Sequence, residues 1–208
     1  MNTSASSAPS QCPKCSAPLP TTLPACPKCF FISRPSKSTT YFDIMGLSDS
    51  PNRFNVDPVD LKHRFRELQR VIHPDKWSGK GSEVQDVAVQ LSSIVNKAYT
   101  TLLNPYTRAE YIMQLEDIHI GESDSLDDPE LIMEIMEARE ELETAEDRED
   151  VERIREENQE KIDEIIPELS AAVAAKDWDA AKNATVKLKY LQGINAAAEA
   201  WPNTAHDH

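Results

Sequence analysis

Leu61, Phe65, Leu68 and Ile72 recur at i, i+4, i+7 and i+11, the spacing of one buried helix face. The same period returns in Val84, Ala88, Leu91, Val95, Ala98 and Leu102, which predicts a long helix from about Ser82 to Leu103. Asp57-Pro58 opens the earlier helix. Asp57 offers an N-cap oxygen, Pro58 has no amide to leave unpaired, and Asp60 suits the positive end of the dipole. Pro74 disfavours helical backbone at His73, so that helix stops there and a solvated loop follows. Tyr41 to Leu47 reads as a short helix ending near Gly46, and Tyr106 to Leu115 as another after the Asn104-Pro105 break. Two long helices joined by one loop pack antiparallel with short helices over the ends, a compact helical domain spanning 41–118.

A linker rich in Asp, Ser and Gly, Ile120 to Asp128, leads to three further helical stretches within residues 129–200: Pro129–Ala145, Glu149–Lys176 and Trp178–Ala200. Asp177 is an N-cap for the last, and the short joins imply an up-down-up bundle. Leu131, Ile135, Ala138 and Leu142 form one core stripe, and Ala181, Ala184, Leu188 and Leu191 another. Beside the first stripe stand Ile132, Met133 and Met136, adjoining Glu137 and Glu140; a wide core face is the competing reading for Ile132. Opposite the second stripe, Val186, Tyr190 and Ile194 form another apolar line. Two exposed apolar strips on one small bundle predict a protein-binding surface. No internal repeat is apparent along the chain.

The 208 residues, 39% apolar and 28% charged with only 5 glycines, fit long solvated helices better than turn-rich sheets. A net charge of −14 excludes the general positive field that nucleic acid binding requires. The charge is uneven: Pro58 to Lys80 is basic and Glu116 to Glu164 acidic, which suits two different partners. No apolar run approaches the roughly 18–20 residues that span a bilayer.

On the helix preceding His73-Pro74-Asp75, Lys62, Arg66 and Arg70 line up away from the apolar stripe. This basic strip running into a His-Pro-Asp turn, with Tyr41 opening the domain and Asn96-Lys97-Ala98-Tyr99 on the second long helix, resembles the J-domain of DnaJ-type co-chaperones. The resemblance implies that His73, Pro74, Asp75, Lys62, Arg66 and Arg70 dock on a DnaK-type chaperone of the heat shock protein 70 family and stimulate its ATPase. No catalytic residue of the chain's own is implied, and the protein is expected not to be an enzyme.

The stretch Leu131-Ile132-Met133-Glu134-Ile135-Met136-Glu137-Ala138-Arg139-Glu140-Glu141-Leu142, with Val186-Lys187-Leu188-Lys189-Tyr190-Leu191, is similar to the scaffold-binding helices of the HscB/Jac-type co-chaperones of iron–sulfur cluster biogenesis. That branch implies an all-α fold: a J-domain hairpin with flanking short helices and a C-terminal three-helix bundle, preceded by a small zinc-binding module. It also implies binding of an IscU/Isu-type scaffold through Ile132, Met133, Met136, Glu137, Glu140 and Tyr190. Ile132 and Met136 stand where leucines are usual, a change that conserves volume. A general J-protein with other or unfolded clients is the alternative.

All four cysteines fall within 12–34, after a Ser/Ala-rich tail over 1–11 expected to be disordered. Cys12-Pro-Lys-Cys15 and Cys26-Pro-Lys-Cys29, with ten residues between, supply four thiolates for a tetrahedral metal in a segment too small for a core of its own. Free thiols and two disulfides are the alternatives, and iron in a rubredoxin-like carrier the alternative to structural Zn²⁺. Ser16 and Phe30 stand where such knuckles often carry glycine. Because Pro35 to Thr40 reads as a polar linker, loss of the module is expected to leave residues 41–200 unaffected. Eukaryotic members of the branch often carry such a module, which implies a mitochondrial matrix protein whose presequence has been removed, with a cytoplasmic pool as a second location.

Overall fold

The computed structural model describes residues 11–121, 124 and 126–202. The tail expected over 1–11 lies outside them except for Gln11, which bridges to Pro18. Regular structure among the described residues is helical, in eight helices, with two isolated β-bridges in the cysteine module. By compactness the chain divides after Asn104.

The first unit holds the cysteine module, α1 (Tyr41–Met45), α2 (Pro58–Ile72), α3 (Pro74–Trp77) and α4 (Ser82–Leu103). Helix α2 begins where Asp57 accepts from the Val59 amide. It buries Leu61, Leu68 and Ile72 against α4, whose Ala88, Leu91, Val95, Ala98 and Leu102 are buried in turn. Gln69 bonds to Ser92 and Asn96 while Phe65 stacks on Tyr99 at 4.3 Å, so residue numbers fall along one helix as they rise along the other. The hairpin is therefore antiparallel, and its seam carries a Gln–Ser–Asn hydrogen-bond set that periodicity does not reveal.

Helix α1 starts in a reciprocal capping box between Thr40 and Asp43 and ends at Gly46 with φ 67°. Its last carbonyls are satisfied from outside the helix, as buried helix ends require. Arg64 of α2 donates to the Met45 and Gly46 oxygens, and Thr22 of the cysteine module donates to the Ile44 oxygen at 2.6 Å. The module is thus fastened to the helical domain. The Thr22 bond and the contact of Phe30 with Trp77 are contrary to an appendage on a free linker.

The second unit holds α5 (Pro105–Leu115), α6 (Pro129–Thr144), α7 (Arg148–Ala175) and α8 (Trp178–Ala200). Sequence reading groups α5 with the first hairpin, through residue 118; in the structure it packs on α8. Salt bridges Glu134–Lys161 and Glu141–Arg153 run α6 and α7 antiparallel. Asn158 of α7 is buried and donates to the Leu191 carbonyl and Asn195 Oδ1 of α8 at 2.9 and 2.7 Å, a polar pin in an otherwise apolar seam. Since α8 packs on α5, α6 and α7, Val186 and Ile194 are buried. The second exposed strip expected on α8 does not exist at those positions: Ile194 lies among α6 and α7 residues such as Ile135 and Ile154, and α8 is packed on three other helices.

Candidate functional site

Chemistry concentrates at three places. The first is the cysteine module, built from two knuckles with one hydrogen-bond pattern. Cys12 N–H donates to the Ala17 carbonyl and Ser16 N–H to that of Cys12; fourteen positions on, Cys26 donates to Phe31 and Phe30 to Cys26. The bridges Gln11–Pro18 and Ala25–Ile32 repeat at the same offset. This local duplication is an internal repeat too short to show against the whole chain, although the doubled Cys-Pro-Lys-Cys announces it. Ser16 and Phe30 take φ of 55° and 56°, so both knuckles make the left-handed turn without glycine.

All four sulfurs lie within 4.8 Å of one another, with Cys12–Cys29 at 3.5 Å and Cys15–Cys26 at 3.7 Å. Disulfides would hold sulfurs at about 2.05 Å, and these cysteines are free. A tetrahedral ion with metal–sulfur bonds of about 2.3 Å has edges near 3.8 Å, so the four thiols fit one. Backbone N–H groups of Cys29 and Lys28 on the Cys26 sulfur bring its pKa down to about 7, while burial pushes the Cys29 thiol up to about 12.

The second place is the turn after α2. Its residues form one helical turn, α3, rather than an open loop. Pro74 occupies the first helical position, and His73 Nδ1 accepts from the Asp75 amide at 3.4 Å. His73 and Asp75 are exposed, whereas Trp77 is 2% exposed and donates through Nε1 to the Val71 carbonyl at 3.0 Å. The turn is closed from both sides, since Lys76 Nζ also donates to the Arg70 carbonyl. Lys62, Arg66 and Arg70 are all exposed on α2. Arg70 is engaged by Glu67 at 2.8 Å. Among the described residues Lys62 and Arg66 have no ion-pair partner, so the available positive charge rests mainly on them.

The third place is α6. Met133 and Met136 are 64% and 66% exposed, and Ile132 is 37% exposed. Glu137 and Glu140 are exposed as well. Positions 132, 136 and 140 follow i, i+4, i+8, with 133 and 137 alongside, so the five share one helix face. Ile132 is therefore not a core residue. Tyr190 sits half-buried on α8, on the line whose other members, Val186 and Ile194, are packed away. Sequence reasoning assigns no contact to Trp77, Phe30 or Thr22, which join the module to the turn and to α1. An aromatic directly after Cys29, in a glycine position, was the available signal.

Among the described residues no helix is long and apolar enough to cross a membrane. The profile described as the HSCB C-terminal oligomerisation domain matches residues 127–199. The iron-sulfur cluster co-chaperone protein HscB of Homo sapiens is 32% identical over 170 residues, 81% of this chain and 71% of that protein. The crystal structure of human co-chaperone protein HscB superposes with a TM-score of 0.74 at 31% identity, covering 91% of this chain and 96% of that one. Chaperone HscB from Vibrio cholerae gives a TM-score of 0.67 at 29% identity, covering 80% of this chain and 99% of that one. Helical regular structure among the described residues, a clustered tetracysteine module and relatives that match most of the chain lead to one assignment: the chain belongs to the HscB/Jac-type family of iron–sulfur cluster co-chaperones, proteins that are not themselves enzymes.

Proposed function

We propose that this protein binds an IscU/Isu-type scaffold through α6, presents it to a DnaK-type chaperone of the heat shock protein 70 family, and stimulates that chaperone's ATPase through the His73-Pro74-Asp75 turn. The observation that carries this reading is the apolar face Ile132, Met133 and Met136, solvent-exposed and rimmed by Glu137 and Glu140. Apolar side chains arranged this way gain by desolvation against a partner, and the rim charges orient it. The chaperone contact is supported by the rigid turn: Pro74 fixes its backbone, Asp75 offers an exposed carboxylate, and Lys62 and Arg66 steer an acidic surface. Holding both partners on one chain raises the concentration of scaffold at the chaperone.

Cys12, Cys15, Cys26 and Cys29 would hold Zn²⁺, whose closed shell of four thiolates leaves no open position and supplies structure rather than reactivity. We place the protein in the mitochondrial matrix. The metal module supports a eukaryotic type, as does the greater coverage by the human structure than by the Vibrio one.

The test has two arms. Replacing His73, Pro74 and Asp75 by alanine abolishes ATPase stimulation and leaves scaffold pull-down intact. Replacing Ile132, Met133 and Met136 by alanine does the reverse. Retained stimulation in the first variant sinks the turn as the chaperone contact. Undiminished scaffold capture by a folded second variant transfers the client site elsewhere and favours a general J-protein.

A further inference from the structure

Phe30 directly follows the last cysteine and occupies a left-handed backbone position, φ 56°, where glycine would sit without strain. Its counterpart in the other knuckle is the small, exposed Ser16. The knuckle turn therefore does not demand a ring, and the ring at position 30 has another use. It meets Trp77 edge-on, with centroids 6.2 Å apart and planes at 89°. Lys80 Nζ lies 3.7 Å from the centroid of the same ring. Trp77 is buried and ties the turn together by its hydrogen bond to Val71, reaching back across His73 and Pro74 to the last turn of α2. A short chain of contacts thus runs from Cys29 through Phe30 and Trp77 to the two sides of the turn.

We propose that Phe30 is a positioning residue that couples metal binding by the four cysteines to the geometry of the His73-Pro74-Asp75 turn through Trp77. The metal holds the knuckle, the knuckle aims the Phe30 ring, and the ring keeps Trp77 seated under the turn. Thr22 anchors the remainder of the module on α1, so the module bears on the turn from a fixed base. Without metal the module loses its cross-link, Trp77 gains solvent access and the turn loosens. The functional consequence, weaker chaperone stimulation, rests on the proposed role of the turn; the structural coupling does not.

The experiment makes Trp77 the sole tryptophan by Trp178→Phe and Trp201→Phe, both in the second unit. Chelating the metal then shifts Trp77 emission to the red and raises acrylamide quenching several-fold, and added Zn²⁺ restores both. Phe30→Gly keeps its zinc, since glycine accepts the left-handed turn, yet shows the red-shifted spectrum with metal bound. Hydrogen exchange over residues 70–78 of the unaltered protein, with and without zinc, needs no substitution and accelerates several-fold on chelation. Emission and exchange that ignore both chelation and Phe30→Gly overturn the coupling. If coupling is seen but neither Phe30→Gly nor the unaltered protein affects the chaperone ATPase, the coupling stands and the proposed partner of the turn falls.

Discussion

Gly46 shows how much one residue position can carry. Its φ of 67° closes α1, and a Cβ there would come within 2.9 Å of Arg64 Nη1, the group that satisfies the Met45 and Gly46 carbonyls. Gly46→Ala therefore adds the ~1–2 kcal/mol of a left-handed non-glycine residue and disturbs Arg64 as well. The measured loss in urea unfolding should exceed 1 kcal/mol, and an unchanged midpoint would show that the turn relaxes freely. Lys176 is the opposite case, with φ 56° at the end of α7, its amide and that of Asp177 closing on the Ala172 and Val173 carbonyls. Glycine relieves the strain of about 1–2 kcal/mol but returns ~0.5–1 as unfolded-chain entropy. Lys176→Gly is expected to stabilise by roughly 0.5–1 kcal/mol in the same measurement. Gly46 was legible in the sequence as a helix stop, whereas Lys176 was not, because nothing in a lysine announces a left-handed cap.

At the scale of elements, α6 separates core from surface within one helix. Ile135 and Leu142 are buried while Met133 and Met136 are largely exposed. Replacing Ile132, Met133 and Met136 together by alanine should cost less than about 2 kcal/mol in total, against ~2–5 kcal/mol for each buried residue. Calorimetry that finds a larger loss would place them in the core. Tyr190→Ala belongs to a separate experiment, since its neighbours on α8 are packed and part of its cost is stability. The start of α6 is sensitive to acid. Lys187 beside Asp128, with the Leu131 amide, holds that carboxyl below the usual range. Because the folded-state pKa is depressed, the contribution is complete above the unfolded value near ~4 and is lost as pH falls through the folded value. Melting of the second unit should fall as acid is added below that point, and Asp128→Asn should flatten part of the slope.

For the molecule as a whole, the cysteine module is a structural part of the first unit. Leu23 and Ala25 are buried there, and Thr22 and Phe30 contact α1 and Trp77. Burying a leucine side chain alone is worth about 1.5–3 kcal/mol. Cys12→Ser is therefore expected to release the metal and lower the unfolding temperature of residues 35–104 by several degrees, while residues 105–202 keep their own transition. Domain-resolved hydrogen exchange reads both. An unaltered first unit would return the module to the status of an independent appendage, as its polar linker first suggests.

Helix periods and their punctuation are local properties, so the sequence by itself determined them. The spacing from Leu61 to Ile72, the Asp57-Pro58 start, the Asn104-Pro105 break and the Asp177 cap all fix elements through backbone sterics and nearby hydrogen bonds. The doubled Cys-x-x-Cys likewise announces through its spacing four thiols that could hold one metal ion. Which face of a helix becomes interior is not local. On α8 the line Val186, Tyr190 and Ile194 reads as a surface strip, yet α5, α6 and α7 all pack on that helix and Val186 and Ile194 are buried. On α6 an equally apolar face stays open. Burial depends on which element arrives against a surface, and that is settled by long-range packing that no window of sequence contains. The seat of Phe30 against Trp77, forty-seven positions away, is decided in the same manner, by two short segments meeting in space.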